Sequence, residues 1–170
     1  MYAGQPQYNL TEVTVLTDTL SFPLGENTYN NIKSFNLFTS GEKDYISFYD
    51  ERSASINIYH LQSQVLVKKL NLGKSFQGHK LYKTTAYCKN FDSIFITNKD
   101  KLYLVDTLGK IKTKIDFIEN SRVAYASLEN AYPPILKDNV LYTGIRPSVD
   151  DKSFKSLKKW KTIYSFDLTN

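Results

Sequence analysis

The feature that most constrains this chain is a segment that occurs three times. Each copy opens with an aspartate after a polar turn and continues as a run of β-forming residues, and these aspartates are Asp44, Asp92 and Asp138. They lie 48 and then 46 residues apart, a spacing typical of propeller-type repeats. A repeat of this size cannot bury its apolar face alone, so the sequence predicts a row of similar units packed against one another.

A second pattern follows the first in every copy. It reads apolar residue, tyrosine, any residue, apolar residue, and it contains Tyr59, Tyr103 and Tyr164. The first two copies have a further run at 64–72 and 110–117, and the latter alternates apolar and charged side chains like a half-buried strand. With one more strand before each aspartate, a complete copy contains four short strands.

The order of these strands predicts an all-β fold made of antiparallel four-stranded blades of a β-propeller. One domain, 1–170, is expected, with an N-terminal strand at 13–24 and blades at 32–72, 82–117 and 123–168. The last blade is expected to be incomplete, because the sequence stops before a fourth strand, so about three blades would form an incomplete ring. An ordinary β-sandwich with chance similarity between strands is the alternative.

The predicted blades should also match position by position. Ile46, Ile94 and Val140 each lie two residues after a repeat aspartate, and we expect them at equivalent points of successive sheets. Pro133 and Pro134 weaken the strand expected before Val140, because proline cannot donate a hydrogen bond to a sheet.

Three stretches carry a resemblance to a known family. They are Asp-Ser-Ile-Phe-Ile at 92–96, Leu-Tyr-Leu-Val-Asp-Thr-Leu-Gly-Lys-Ile at 102–111 and Asp-Thr-Leu-Ser-Phe-Pro-Leu at 18–24. They resemble the uncharacterised six-bladed β-propeller lipoproteins of Bacteroidota, a family of domains of unknown function, and only the N-terminal half of such a protein. The resemblance implies a place in the cell envelope and no catalytic residues. The signal peptide and lipid-attachment cysteine of such lipoproteins are missing from this sequence.

Composition and charge argue for strands and against a nucleic-acid partner. The chain has 13 Tyr and 10 Phe, which suit pleated, half-buried surfaces. The net charge is +5, but lysine supplies 19 of the 22 basic side chains, whereas base readout and bidentate phosphate contacts favour arginine. We therefore expect no nucleic acid among its partners. No apolar run is long enough to span a membrane.

Residues that could carry chemistry are few and scattered. The two histidines, His60 and His79, have no metal-ligand spacing, and the single cysteine, Cys88, lies in a strand-like run that suggests a buried thiol. Asp150 and Asp151 are adjacent but read as a solvated turn rather than an acid–base pair. No nucleophile elbow or phosphate-binding glycine loop occurs. The chain is predicted not to be an enzyme and to need no cofactor or metal.

The segment 151–161 is the best candidate for a binding surface. It is an insertion in the third copy, it contains five lysines, and Phe154, Leu157 and Trp160 recur every third residue. Insertions in repeat proteins gather on one face, often the binding face. A loop that merely packs its apolar residues on the blade is the alternative. The candidate partner-binding residues are Lys155, Lys158, Lys159 and Trp160.

Three functions follow from this reading. The first is a non-catalytic binding or scaffold module of the cell envelope, with an unknown protein, glycan or small molecule as its ligand. The second is part of a propeller enzyme whose catalytic residues lie in the C-terminal half absent from this sequence. The third is a basic β domain that binds nucleic acid, which would show affinity that falls steeply with salt.

Overall fold

The structure is a computed structural model that describes residues 19–25, 28, 32, 34–73, 75–81, 83–98, 101–116, 124–128, 134–147 and 163–168. Fourteen strands and no helix occur in these ranges, so the all-β prediction is confirmed. No helical segment of these ranges has the length and apolarity required to cross a bilayer.

Two four-stranded antiparallel sheets are complete. Sheet 1 consists, in spatial order, of β1 (Phe35–Ser40), β2 (Lys43–Asp50), β3 (Ser55–His60) and β4 (Leu66–Asn71). A short hairpin follows, made of β5 (Ser75–Phe76) and β6 (His79–Lys80). Sheet 2 consists of β7 (Thr85–Asn90), β8 (Ser93–Asn98), β9 (Lys101–Val105) and β10 (Ile111–Asp116), again in sequence order. Each is a meander in which consecutive strands pair.

Sheet 3 has the same plan with a broken first strand. It consists of β11 (Ala124–Ser127), β12 (Ile135–Lys137), β13 (Val140–Pro147) and β14 (Ile163–Asp167). Both β11 and β12 pair with one edge of β13, and β14 pairs with the other edge. Pro134, one of the two prolines that the sequence predicts to weaken this strand, lies directly before β12. No strand beyond β14 lies within the described residues.

The sheets stack face to face, and sheet 2 is the middle layer. We call the face of a sheet that looks toward the preceding sheet its N-side face, and the opposite face its C-side face. In β8, Ile94 and Ile96 pack toward sheet 1 while Phe95 packs toward sheet 3, and all three are buried. A strand buried on both faces lacks the usual alternation of apolar and polar residues, and this one reads Ser-Ile-Phe-Ile-Thr-Asn.

Two apolar clusters hold the stack together. Side chains on the C-side face of sheet 1 and the N-side face of sheet 2 form the larger cluster, which includes Tyr45, Ile56, Ile58, Tyr103 and Val105. The smaller cluster joins sheet 2 to sheet 3 and includes Phe95, Leu102, Leu128, Leu141 and Phe166. At about 25 cal/mol per Å² of buried apolar surface, these contacts are the main stabilising term. The open stack is the propeller-like arrangement that the repeat predicts.

The repeats match strand by strand but not residue by residue, although Ile46, Ile94 and Val140 all lie in the second strands of their sheets. Ile46 pairs with the repeat tyrosine Tyr59, whereas the corresponding Tyr103 pairs with Ile96, so Ile94 lies on the same face as Ile46 but two residues out of register. In sheet 3, Leu141 packs against sheet 2, so Val140 faces away from it. The cause is turn geometry: Asp138 and its successor occupy a two-residue turn with positive φ, whereas Asp44 already lies within β2. A shift of one residue moves a side chain to the other face of a strand.

A repeated aromatic pair extends the match into the segments before the sheets. The ring of Phe76 packs edge-on against Tyr103 at 5.1 Å between centroids, and Phe22 packs in the same way against Tyr59 at 5.4 Å. The Tyr59 hydroxyl also donates to the Pro23 carbonyl at 2.8 Å. Residues 19–25 thus lie on the N-side face of sheet 1 without forming a strand, and the remainder of the predicted strand 13–24 lies outside the described residues.

Candidate functional site

The predicted binding residues lie in a connection whose ends the structure places. Lys155, Lys158, Lys159 and Trp160 are outside the described residues, as is the carboxylate pair 150–151. The segment that contains them, 148–162, connects β13 to β14, which are neighbouring antiparallel strands. It is therefore the counterpart of the connections 51–54 in sheet 1 and 99–100 in sheet 2.

These connections lie along one edge of the stack, which we call the BC rim because it joins the second strand of each sheet to the third. At this edge the Tyr49 and Thr84 hydroxyl groups are hydrogen-bonded, and Thr84 donates to Asn98 Oδ1 at 3.3 Å. The bonds link the end of β2 to the start of β7 and the end of β8. The BC rim thus spans sheets 1 and 2 in one hydrogen-bonded series.

Asp50 is the buried acid of the BC rim. It ends β2 with 2% of its surface exposed, and its carboxylate accepts hydrogen bonds from the Arg52 backbone N–H at 3.0 Å and from the Ser53 hydroxyl. Both donors belong to the turn that leads into β3. A carboxylate bonded to the N–H two residues ahead stabilises a turn, so the role of Asp50 is to hold this connection in shape.

Asn98 has the corresponding position in sheet 2. It ends β8, it is equally buried, and its Nδ2 donates to the Lys80 carbonyl at 3.3 Å. It therefore ties the end of β8 to the β5–β6 hairpin. Sequence reasoning missed both residues, although each is the polar residue that ends a β-type run six positions after a repeat aspartate.

Tyr49 lies beside these groups but is not activated. Burial, followed by the negative charge of Glu51, raises the pKa of Tyr49 to about 12. The phenol therefore remains protonated at neutral pH and acts as a neutral hydrogen-bonding group. A tyrosine that serves as a base requires the opposite shift.

Cys88 is a packed thiol between sheets 1 and 2, as the sequence suggests. Only 1% of its surface is exposed, and burial raises the pKa of its thiol to about 12, while a hydrogen bond with Ser47 acts in the opposite direction. A nucleophilic cysteine requires a lowered pKa and access to solvent. Cys88 has neither.

Two further titratable side chains, those of His60 and Asp106, support turns. Nδ1 of His60 lies 2.8 Å from the Ser63 hydroxyl and 3.2 Å from the Ser63 backbone nitrogen. Asp106 accepts from the Leu108 and Lys110 backbone N–H groups, each at 2.9 Å, and the Lys110 bond is the main cause that lowers the pKa of Asp106. His79 lies in β6. Within the described ranges, no three His, Cys, Asp or Glu side chains are grouped as metal ligands would be.

Comparisons with known proteins find a solved structure with a similar fold but indicate no activity. No family model and no curated protein matches the chain. A crystal structure of a member of the DUF4221 family from Bacteroides vulgatus is similar, with a TM-score of 0.71 and 21% sequence identity. The match covers 86% of this chain and 43% of that one. The chain therefore shares its fold with this member of an uncharacterised family and spans less than half of its length.

Proposed function

We propose that this chain is a non-catalytic binding module of propeller type, and that its ligand binds at the BC rim. The observation that carries the proposal is the alignment of the sheet connections along one edge, where buried Asp50 holds the 51–54 connection in shape and buried Asn98 ties the end of β8 to the β5–β6 hairpin. A hydrogen-bonded edge of this kind is a suitable base for a longer loop, and in repeat proteins such loops gather on the binding face. The connection between β13 and β14 is the longest of the three.

The charge of this connection selects the class of ligand. Residues 151–161 contain five lysines and the single tryptophan of the chain. Lysine ammonium groups bind carboxylates and sulfates as point charges, and an aromatic ring adds apolar contact at a binding surface. An acidic glycan offers both anionic groups and apolar sugar faces, so it is the ligand we propose. The resemblance to envelope lipoproteins agrees with such a ligand and supports a location in the cell envelope.

Binding to heparin, a sulfated glycan, tests this proposal. A variant with Lys155→Ala, Lys158→Ala, Lys159→Ala and Trp160→Ala should bind at least tenfold more weakly by calorimetry, because it removes three charges and the ring. The control variant carries Lys68→Ala, Lys69→Ala and Lys110→Ala. It also removes three charges, two from β4 of sheet 1 and one from the β9–β10 turn of sheet 2. Equal losses in both variants would show that binding depends only on net charge and would refute a site at the BC rim.

The absence of catalysis is tested separately. Esterase, phosphatase and glycosidase substrates should give background turnover with the wild-type chain. Turnover that is abolished by His60→Ala, His79→Ala or Asp150→Ala would show an enzyme instead. If the chain both binds heparin and shows such turnover, the binding site at the BC rim still stands and only the claim that the module is non-catalytic is refuted.

A further inference from the structure

The BC rim also carries basic residues at sheets 1 and 2. Arg52 lies in the connection 51–54 and is exposed, and Lys80, which ends β6, is exposed as well. Lys83 lies three residues farther along the connection to sheet 2 and is partly exposed. These residues are separate in the fold from the lysine-rich segment 151–161, which belongs to sheet 3.

The hydrogen-bonded series of the rim holds the backbone at or beside each of these residues. The Arg52 N–H donates to the buried acid of the rim at 3.0 Å, and the Lys80 carbonyl accepts from Asn98 Nδ2 at 3.3 Å. Lys83 directly precedes Thr84, whose hydroxyl donates to Asn98 Oδ1 at 3.3 Å. A ligand that binds to a backbone already held in place has less conformational entropy to offset. The three cationic side chains therefore extend from fixed points of one edge.

Acidic side chains at the same edge limit what these residues can do alone. Glu51 is exposed in the connection 51–54, and its negative charge acts on the neighbouring Tyr49. With the buried Asp50 carboxylate, it leaves the three basic residues in excess by one charge. So small an excess adds to anion binding at the lysine-rich segment rather than replacing it.

The BC rim crosses the sheets, so its length selects among acidic glycans. Packed sheets lie about 10 Å apart, so the rim from sheet 1 to sheet 3 spans about 20 Å. We propose that the ligand is an extended acidic glycan that contacts both the lysine-rich segment at sheet 3 and the basic residues Arg52, Lys80 and Lys83 at sheets 1 and 2. A glycan shorter than the rim reaches only one of the two sets. This inference rests on the proposed function and deepens it, because it sets the length of the ligand and adds a second set of contacts.

Calorimetry with a heparin disaccharide and with a heparin fragment longer than the rim tests the length requirement. The variant Arg52→Ala, Lys80→Ala, Lys83→Ala should bind the long fragment about tenfold more weakly, because three exposed charge pairs are lost. It should bind the disaccharide as wild type does, whereas the variant of the lysine-rich segment should bind both ligands more weakly. If wild type binds both ligands equally well, or if the triple variant keeps its affinity for the long fragment, this inference is wrong and the proposed function stands. If heparin does not bind, or if the variant of the lysine-rich segment binds like wild type, the proposed function itself is wrong.

A matched pair of substitutions separates contact at the rim from an effect of net charge. Glu42 precedes β2 and Glu51 follows it, so the two lie about 30 Å apart at about 3.3 Å per residue. Glu51→Gln should tighten binding of the long fragment about threefold, because it removes a repulsive charge beside the ligand. Glu42→Gln changes the net charge equally but should leave the affinity unchanged at physiological ionic strength, where charges more than about 8 Å apart are largely screened. Equal affinities of the two variants would overturn the second set of contacts.

Discussion

At the scale of single residues, a polar side chain joins the first two sheets. The Asn36 amide accepts a hydrogen bond from the Cys88 backbone N–H at 3.0 Å and donates one to the Cys88 carbonyl. Its oxygen also accepts from the Ser47 hydroxyl at 2.7 Å. β7 is an edge strand of sheet 2, and Asn36 satisfies backbone groups that no neighbouring strand reaches. Partly buried groups of this kind are costly to leave unpaired.

Replacing Asn36 tests this link. We expect Asn36→Ala to lower the free energy of unfolding by about 1–3 kcal/mol, because three hydrogen bonds are lost and the Cys88 peptide is left unpaired between sheets. Thr39→Ala is the control: it removes the solvent-exposed 2.7 Å bond to Asp44 in the same hairpin and should cost less than about 0.5 kcal/mol. Urea unfolding measures both, and equal effects would contradict the role of Asn36.

The Cys88 thiol gives the stability a pH dependence. The folded state keeps the thiol neutral with a pKa of about 12, above its ordinary value of 9.0, so the stabilising contribution is complete below pH 9 and declines as the pH rises toward 12. Tyr49, with a pKa raised to about 12 from 10.0, acts in the same direction at slightly higher pH.

The Cys88→Ala variant isolates the thiol. Between pH 8 and pH 10, wild type should lose about 1 kcal/mol more stability than the variant, since only the unfolded wild-type chain ionises a thiol in this range. Urea unfolding at a series of pH values measures the difference. Parallel curves for the two proteins would show that Cys88 is not held neutral by burial.

At the scale of strands, the sequence predicts which segments form strands, because the periodicity of apolar residues encodes this. It does not predict their register or the contacts between segments, because these depend on turn geometry and packing. The alternation at 110–117 correctly gives β10 as a strand but not its faces, because a bulge between Ile111 and Thr113 puts Ile111 against the larger cluster and Ile115 against the smaller one. Pro134, the described member of the proline pair, lies just before β12, where the sequence predicts a weakened strand. The repeat aspartates locate each second strand but not its register, because they lie at different points of the turns. Phe22 and Phe76 were not predicted as partners of the repeat tyrosines, since a single aromatic residue in a connecting segment has no period.

The lysines of β10 are expected to protect an edge. β10 is an outer strand of sheet 2, and its side chains Lys112 and Lys114 are exposed. Lys112 donates to the Asp92 carbonyl at 2.6 Å. Charged side chains on edge strands prevent pairing with other chains. Lys112→Val with Lys114→Val should raise the aggregation rate in light-scattering assays while the unfolding free energy changes by less than about 1 kcal/mol. Unchanged aggregation would contradict this role.

At the scale of the whole molecule, the candidate site and the fold were not equally predictable. The aligned connections follow from the repeat, and the insertion between β13 and β14 can be recognised from its length. The network around Asp50 and Asn98 was not predicted, because burial of these residues depends on how neighbouring sheets stack. The central claim is therefore the stack itself, with sheet 2 as its buried middle layer.

Hydrogen exchange of the backbone amides, measured by NMR, tests the stack most directly. Amides of β8 and β9 should exchange slowest, at a rate set by global unfolding, because sheet 2 is buried on both faces and these are its inner strands. The edge strands β4 and β10 and the broken β11 and β12 should exchange faster through local opening. If β8 and β9 exchange as fast as these strands, or if the slowest amides lie in sheet 3, the three sheets do not form the stack described.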